Sequence, residues 1–191
     1  MDTPAAAAAA TTTTTAEATT TTTAPAPASG PIQLANKPSK VEYKNLKFMI
    51  IDRPTEYNLP AYIKELKENG VTALVRVCEA TYSRAPVESA GISMYDCPFD
   101  DGTEPPADRI KVWRQVVKQH SSEGNRVAIH CVAGLGRAPV MVAIALIDKG
   151  LDFTDAVELI RKERKGAINR RQLDFLRTYK AKSSSSKCSI S

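Results

Sequence analysis

No run in this 191-residue chain approaches the roughly 18 consecutive apolar residues that a membrane span needs, which argues against a transmembrane helix. Its four cysteines, Cys78, Cys97, Cys131 and Cys188, contain no C-x-x-C pair. That excludes an obvious zinc framework or secreted disulfide scaffold and fits a reducing, cytosolic setting. No metal-ligand cluster stands out, so neither a metal nor another cofactor is expected. Residues 1–30 lack aromatics and apolar periodicity and are nearly all Ala, Thr and Pro. Such a segment cannot bury a core and is expected to be disordered. No basic stretch precedes its alanine run and it lacks arginine, so neither a secretory signal nor a transit peptide is expected. The organisation that follows is a disordered segment over 1–38, one folded domain over 39–181, and a flexible tail over 182–191.

Charge is unevenly spread. Residues 1–40 are net 0, residues 41–160 net −3 and residues 161–191 net +8. The basic surplus belongs to the C-terminal end. This argues against a general nucleic-acid binder and for contact with an anionic surface there. The plainer reading is a solvated basic helix face.

What the chain does contain is His130-Cys131-Val132-Ala133-Gly134-Leu135-Gly136-Arg137, an H-C-x5-R pattern between two apolar runs. A cysteine and an arginine separated by five residues can cradle a phosphate. The cysteine attacks phosphorus as a thiolate. The backbone N–H groups of Val132, Ala133, Gly134, Leu135, Gly136 and Arg137 converge on the equatorial oxygens. Arg137 presents a planar fork that matches two of them. Gly134 and Gly136 allow a tight loop, and the following helix aims its positive end at the same point. A cysteine after a strand is often only a small buried hydrophobe. Here Val127-Ala128-Ile129 reads as a buried strand and Pro139 to Ile147 as a buried helix, so the context is the one the chemistry requires.

The rest of the chain alternates strands and helices. Val41 to Ile51 reads as an opening strand or hairpin edge. Asn58 is expected to cap a helix that Gly70 ends. Val71–Val77 and Ile92–Asp96 read as strands. Pro105-Pro106 opens a helix carrying Ile110, Trp113, Val116 and Val117. Thr154 and Asn169 are expected to cap the last two helices. The pattern predicts an α/β domain with a mostly parallel central sheet flanked by helices. Ligands in such sheets bind beyond the carboxyl ends of the strands, where Cys131 lies.

Pro98-Phe99-Asp100-Asp101-Gly102 follows the Ile92–Asp96 strand and emerges at the same sheet edge if the strands are parallel. A leaving alkoxide or phenoxide needs a proton, which a carboxylic acid supplies. Asp101 is the candidate acid and base, with Asp100 as a structural or assisting carboxylate. The plainer reading is a polar turn before Gly102. Cys78 ends the Val71–Val77 strand. It is either a buried structural cysteine or a second thiol that captures an oxidised nucleophile as a disulfide.

Arg76 through Tyr82, Pro98 through Gly102, His130 through Val140, and Asp155-Ala156-Val157 with Ile160-Arg161 resemble the phosphatases of regenerating liver (PRL, protein tyrosine phosphatase type IVA). The likeness runs from about Tyr43 to Tyr179, and Cys131 through Pro139 is its most specific stretch. It implies a dual-specificity phosphatase fold acting on a phosphoprotein. It implies Cys131 as nucleophile, Arg137 as phosphate clamp, Asp101 as general acid and Cys78 as disulfide partner of Cys131. Many tyrosine phosphatases carry Ser or Thr after the arginine, whereas this chain, like the PRL family, has Ala138. Without that hydroxyl the departing thiolate loses a hydrogen bond, and a long-lived phosphocysteine is expected. The resemblance extends to binding cyclin-M type magnesium transporters through the catalytic face, and to homo-oligomers at membranes. One departure is Cys97, where the family usually has Trp.

The chain ends Cys188-Ser189-Ile190-Ser191, which fits C-a-a-X with a terminal Ser and predicts farnesylation of Cys188. Lys180, Lys182 and Lys187, with Arg161, Lys162, Arg164, Lys165, Arg170 and Arg171 upstream, would supply the basic patch that one lipid needs for stable anchoring. The expected location is the cytoplasmic face of the plasma membrane or endomembranes, with a cytosolic pool. Three readings stay open and are compatible: a lipid-anchored phosphatase, a binding regulator of a magnesium transporter switched by Cys131 phosphorylation, and a redox sensor using Cys78 and Cys131.

Overall fold

The computed structural model describes Leu34 and residues 36–121 and 124–181. Most of the expected disordered segment and the expected lipidated tail lie outside these residues.

The Val41–Ile51 stretch folds as a hairpin of β1 (Ser39–Tyr43) and β2 (Leu46–Ile51). Helix α1 (Leu59–Glu68) leads to β3 (Val71–Arg76), and a short α2 (Ala85–Ser89) precedes β4 (Ser93–Asp96). Then follow α3 (Ala107–Ser121), β5 (Arg126–His130), α4 (Arg137–Asp148), α5 (Phe153–Glu163) and α6 (Arg170–Thr178). The sheet order is β1-β2-β5-β3-β4. Only the β1–β2 pair is antiparallel; β2, β5, β3 and β4 run parallel.

The alternation of strand side chains splits the core in two. Phe48, Ile50, Val75, Val127 and Ile129 face α3, α4, α5 and α6. Met49, Ile51, Leu74 and Ala128 face the layer holding Leu59, Tyr62, Leu66 and Val87 of α1 and α2. Every residue of α4 from Arg137 to Ile147 is buried. A helix apolar on all sides is one enclosed by its neighbours, and this enclosure holds the end that follows the H-C-x5-R loop.

One of the expected caps falls on another residue, and one keeps its position without a side-chain bond to the helix. Asn58 precedes α1, but its side chain accepts from the Thr55 N–H at 2.7 Å and makes no cap bond to the helix. The cap of α5 is Asp152, whose carboxylate accepts from the Thr154 N–H at 2.9 Å; Thr154 itself lies inside the first turn. Asn169 does cap α6, in a reciprocal capping box with Gln172.

Candidate active site

The four parallel strands end at one edge, and register sets what meets there. His130 lies opposite Arg76 of β3 and Ile51 of β2, and Arg76 lies opposite Asp96 of β4. The residues after the strand ends are therefore neighbours: Asp52 and Arg53 after β2, Val77 and Cys78 after β3, Cys97 after β4, and Cys131 after β5. Backbone bonds extend the ladder past the strands. The Val77 N–H donates to the His130 carbonyl at 3.0 Å, and the Cys97 N–H to the Arg76 carbonyl at 2.8 Å.

The loop after Cys131 has its carbonyls tied outward. Val132 O accepts from the Arg53 N–H at 3.0 Å, and Leu135 O accepts from the Ile168 N–H at 2.7 Å. Ala133 O and Gly134 O each accept from the Arg164 guanidinium at 2.8 Å. In a trans peptide the C=O of one residue and the N–H of the next point opposite ways. Fixing four carbonyls outward thus turns the N–H groups of Ala133, Gly134, Leu135 and Gly136 inward, as an anion nest requires. Gly134 sits at φ +64°, and a methyl added there would meet the Arg164 guanidinium at 2.6 Å. Only glycine fits that conformation and that approach.

Arg164 was expected in the basic surface patch. It is instead 7% exposed and ion-paired to the equally buried Asp52. Arg161, although exposed, is also committed, donating to the Ala167 carbonyl at 2.9 Å and the Ile168 carbonyl at 2.8 Å. Both arginines brace the turn that supports Leu135. A run of basic residues does not say which of them face solvent, so the loop-bracing role of Arg164, Asp52 and Arg161 had no signal in the sequence.

Arg137, also buried, links this loop to the one after β4. Its Nη1 donates to the Phe99 carbonyl at 3.0 Å. Its Nε lies 3.2 Å from Asp101 Oδ1. That contact is an ion pair by distance, but Arg137 Nε has no hydrogen-bond partner of good geometry. The angle therefore makes it a weaker link than 3.2 Å suggests. The Asp101 side chain is 70% exposed, so its charge is well solvated. A methyl at Gly136 would lie 3.5 Å from Asp101 Oδ1 and 3.3 Å from Gln172 Nε2. The Asp101 loop thus closes over the start of α4. Gln172, fully buried, donates to the Thr103 carbonyl at 3.4 Å and joins that loop to α6. Its sequence signal was the capping box alone.

The remaining thiols separate clearly. Cys78 lies against the site, with Sγ 3.9 Å from His130 Nδ1. Burial pushes its thiol up, the neighbouring Arg137 opposes this, and Cys131 adds to it. Cys97 is fully buried in the core on the α3 side, its thiol also pushed up by burial and facing the charges of Arg109, Asp96 and Asp108.

His130 is completely buried. Its Nδ1 lies 3.1 Å from the Cys131 carbonyl, which places the proton there, so Nε2 accepts from the Tyr82 hydroxyl at 2.6 Å. Burial lowers its pKa from 6.5 to about 4. The ring is therefore neutral at pH 7 and supplies orientation rather than charge to Cys131. The unfolded ring takes up a proton near pH 6.5, whereas the folded one resists until about pH 4. Stability should therefore fall as pH drops through that window, by about 3 kcal/mol in all. Denaturant unfolding at pH 7.0, 5.5 and 4.5 should give a steeper loss for the parent than for His130→Gln. Parallel losses would contradict the burial of a neutral ring.

Among the described residues, no group of three His, Cys, Asp or Glu side chains is placed to hold a metal ion. No described helix is long and apolar enough to cross a membrane.

A family model described as "Polymorphic toxin system, DSP-PTPase phosphatase" matches residues 52–151. Over 151 residues the chain is 48% identical to the human "Protein tyrosine phosphatase type IVA 3", covering 77% of this chain and 87% of that protein. Over 147 residues it is 50% identical to the Drosophila melanogaster "PRL-1 phosphatase", covering 76% and 84%. Among solved structures, a putative protein tyrosine phosphatase from Leishmania major superposes with a TM-score of 0.70 at 38% identity, covering 76% of this chain and 99% of that one.

Proposed function

The chain belongs to the protein tyrosine phosphatase type IVA (PRL) family, and we propose that it hydrolyses phosphotyrosine through a long-lived phosphocysteine on Cys131. The carrying observation is the convergence of the Cys131 loop, with its carbonyls tied outward, on Arg137 and Asp101. In this reading the Cys131 thiolate attacks phosphorus and the P–O bond to the tyrosine breaks. The N–H groups from Val132 to Arg137 hold the equatorial oxygens and Arg137 clamps two of them. Asp101 protonates the phenoxide, then takes a proton from the water that cleaves the S–P bond. Its exposed side chain suits exchange with solvent between those steps.

Ala138 makes the second step slow. A hydroxyl there would donate to the departing thiolate, and such a charge-assisted bond is worth about 1.5–3 kcal/mol. Ala138→Ser should therefore raise steady-state turnover roughly ten- to a hundredfold. The experiment is rapid-mixing release of phenol from an aryl phosphate. The parent should give a burst of about one equivalent and then a slow phase, and the variant a faster second phase. An unchanged second phase in the variant would sink this account, and absence of a burst would deny the phosphocysteine.

A second reading, a binding regulator of a cyclin-M type magnesium transporter, gains support from Val132 and Leu135. These are exposed by 42% and 41%, unusual for large apolar residues, and both lie on the phosphate loop itself. A partner covering them would report the phosphorylation state of Cys131. Oxidation to a Cys78–Cys131 disulfide would silence the same face, and the position of Cys78 beside His130 is compatible with it. Family members that associate at membranes would do so from the same location.

That location is the cytoplasmic face of the plasma membrane or endomembranes, through farnesyl on Cys188 and the outward-facing Lys162, Lys165, Arg170 and Arg171. Cells fed a farnesyl analogue should label the parent chain and leave Cys188→Ser unlabelled. Equal absence of label in both would remove the anchor.

A further inference from the structure

The strand order places β5 between β2 and β3, with β4 beyond β3. The loop that carries Asp101 therefore reaches Cys131 from one flank, and the loop that follows β2 reaches it from the other. This second loop begins Asp52-Arg53-Pro54-Thr55-Glu56. One backbone bond ties it to the phosphate loop, from the Arg53 N–H to the Val132 carbonyl at 3.0 Å. Val132 directly follows the nucleophile, so the Arg53 side chain starts at the shoulder of the phosphate loop.

Arg53 is half-buried and, alone among the arginines of the described residues, its guanidinium has neither an ion pair nor a hydrogen-bond partner. Every other arginine is engaged with a carboxylate or a carbonyl. The two acids of its own loop are taken elsewhere. Asp52 is ion-paired to Arg164 and accepts from the Asn36 amide. Glu56 accepts from the Ser83 N–H at 2.6 Å. The loop is also braced. Buried Pro54 fixes its own φ and biases Arg53 towards extended backbone. The Pro54 carbonyl accepts from the Thr81 hydroxyl at 2.9 Å, which with the Glu56 bond fastens the loop to the segment after β3. Burial dominates the shifts at Cys78 and His130, and the Arg53 charge adds a smaller downward pull on each, which puts the guanidinium on the active-site side of its loop. An unpaired guanidinium on a braced loop suits an incoming anion, because no existing pair must break and little chain must be ordered.

We propose that Arg53 determines substrate specificity: it grips a carboxylate side chain flanking the phosphotyrosine and so selects phosphotyrosine in an acidic stretch of protein. The phosphate itself belongs to the Cys131–Arg137 loop, and proton transfer to Asp101 on the opposite flank. Neighbouring residues of an extended peptide are about 3.5 Å apart, which keeps a flanking side chain within reach of a long arginine. The planar fork matches a carboxylate as it matches a phosphate. This role presupposes the phosphotyrosine reading.

The test compares phosphotyrosine peptides that differ only in the residues on either side of the phosphotyrosine, which are Glu, Gln or Lys. The readout is kcat/KM, which covers binding and the first chemical step and so precedes the slow breakdown of phosphocysteine. In the parent, kcat/KM for the Glu peptide should exceed that for the Gln peptide at least about fivefold, the scale of one partly solvated charge pair. In Arg53→Gln the two peptides should become equal, and Arg53→Glu should prefer the Lys peptide to the Glu peptide. All peptides meet the same protein sample, so a poorly folded variant lowers every rate and leaves the ratios alone. A parent that treats the Glu and Gln peptides alike, or a preference for Glu that survives in Arg53→Gln, overturns the role of Arg53. A parent inert towards every phosphotyrosine peptide yet active on an aryl phosphate overturns the phosphotyrosine reading and this role with it.

Discussion

Cys131→Ser is expected to lower hydrolysis of an aryl phosphate by on the order of 10⁴-fold or more, the scale seen when a covalent nucleophile is removed. Serine matches the volume of cysteine, and Cys131 is only 2% exposed, so the replacement neither opens a cavity nor crowds the loop. What changes is the attacking atom. A serine hydroxyl stays protonated near neutrality unless a base takes its proton, and the histidine beside it is neutral and already committed to Tyr82 and the Cys131 carbonyl. The anion nest and Arg137 remain, so inorganic phosphate should bind the variant much as it binds the parent. Hydrolysis, phosphate affinity and melting temperature measured together separate a lost nucleophile from a lost fold. Activity within tenfold of the parent would mean that Cys131 does not attack phosphorus.

Arg164→Leu should produce the second large effect, first on stability and then on phosphate affinity. Its guanidinium serves Asp52, Ala133 O and Gly134 O at once, and both charged side chains are about nine-tenths buried. Removing one partner of a buried pair leaves an uncompensated charge, which costs about 3–5 kcal/mol. For a domain of this size that lowers the melting temperature by roughly 10 °C or more. The double variant Arg164→Leu/Asp52→Leu should recover part of the loss, because no charge is then stranded. It should not recover phosphate affinity, since the carbonyls of Ala133 and Gly134 lose their tether and the N–H groups beyond them lose their aim. Equal melting temperatures for the single and double variants would deny the ion pair its importance. Parent-like phosphate affinity in both would deny Arg164 its hold on the loop.

These two expectations come from different kinds of information. That the Cys131–Arg137 loop and the Asp101 loop meet was legible because the pattern is local: a cysteine, five residues, an arginine, and a carboxylate loop after a neighbouring strand. Cys78 was legible as a strand-end residue, and parallel pairing brought it to the same edge. The strands over Val71–Val77, Ile92–Asp96 and Val127–Ile129 were read within one residue at each end, since their apolar runs are bounded by turn residues, whereas Val41–Ile51 is two strands with a turn between them. The cap of α5 was misassigned because Thr154 sits beside a competing Asp152, and which of two neighbours turns toward a helix end depends on the entering backbone; Asn58 does stand at the N-cap of α1 but commits its side chain to the Thr55 N–H.

Amino-acid order alone determined the α/β class, the mostly parallel sheet, and the places of the Cys131–Arg137 loop and the carboxylate loop, because each is written in residues close together along the chain. Only tertiary structure decided that Arg164 is buried against the loop and that Arg161 holds the Ala167 and Ile168 carbonyls, while other residues of the same basic stretch face out. It alone decided that Gln172 joins the carboxylate loop to α6 and that His130 is neutral. Each of these depends on burial and on contacts between residues far apart in sequence. A guanidinium 31 residues from the carbonyl it holds, or 112 from its carboxylate, leaves no local pattern to read.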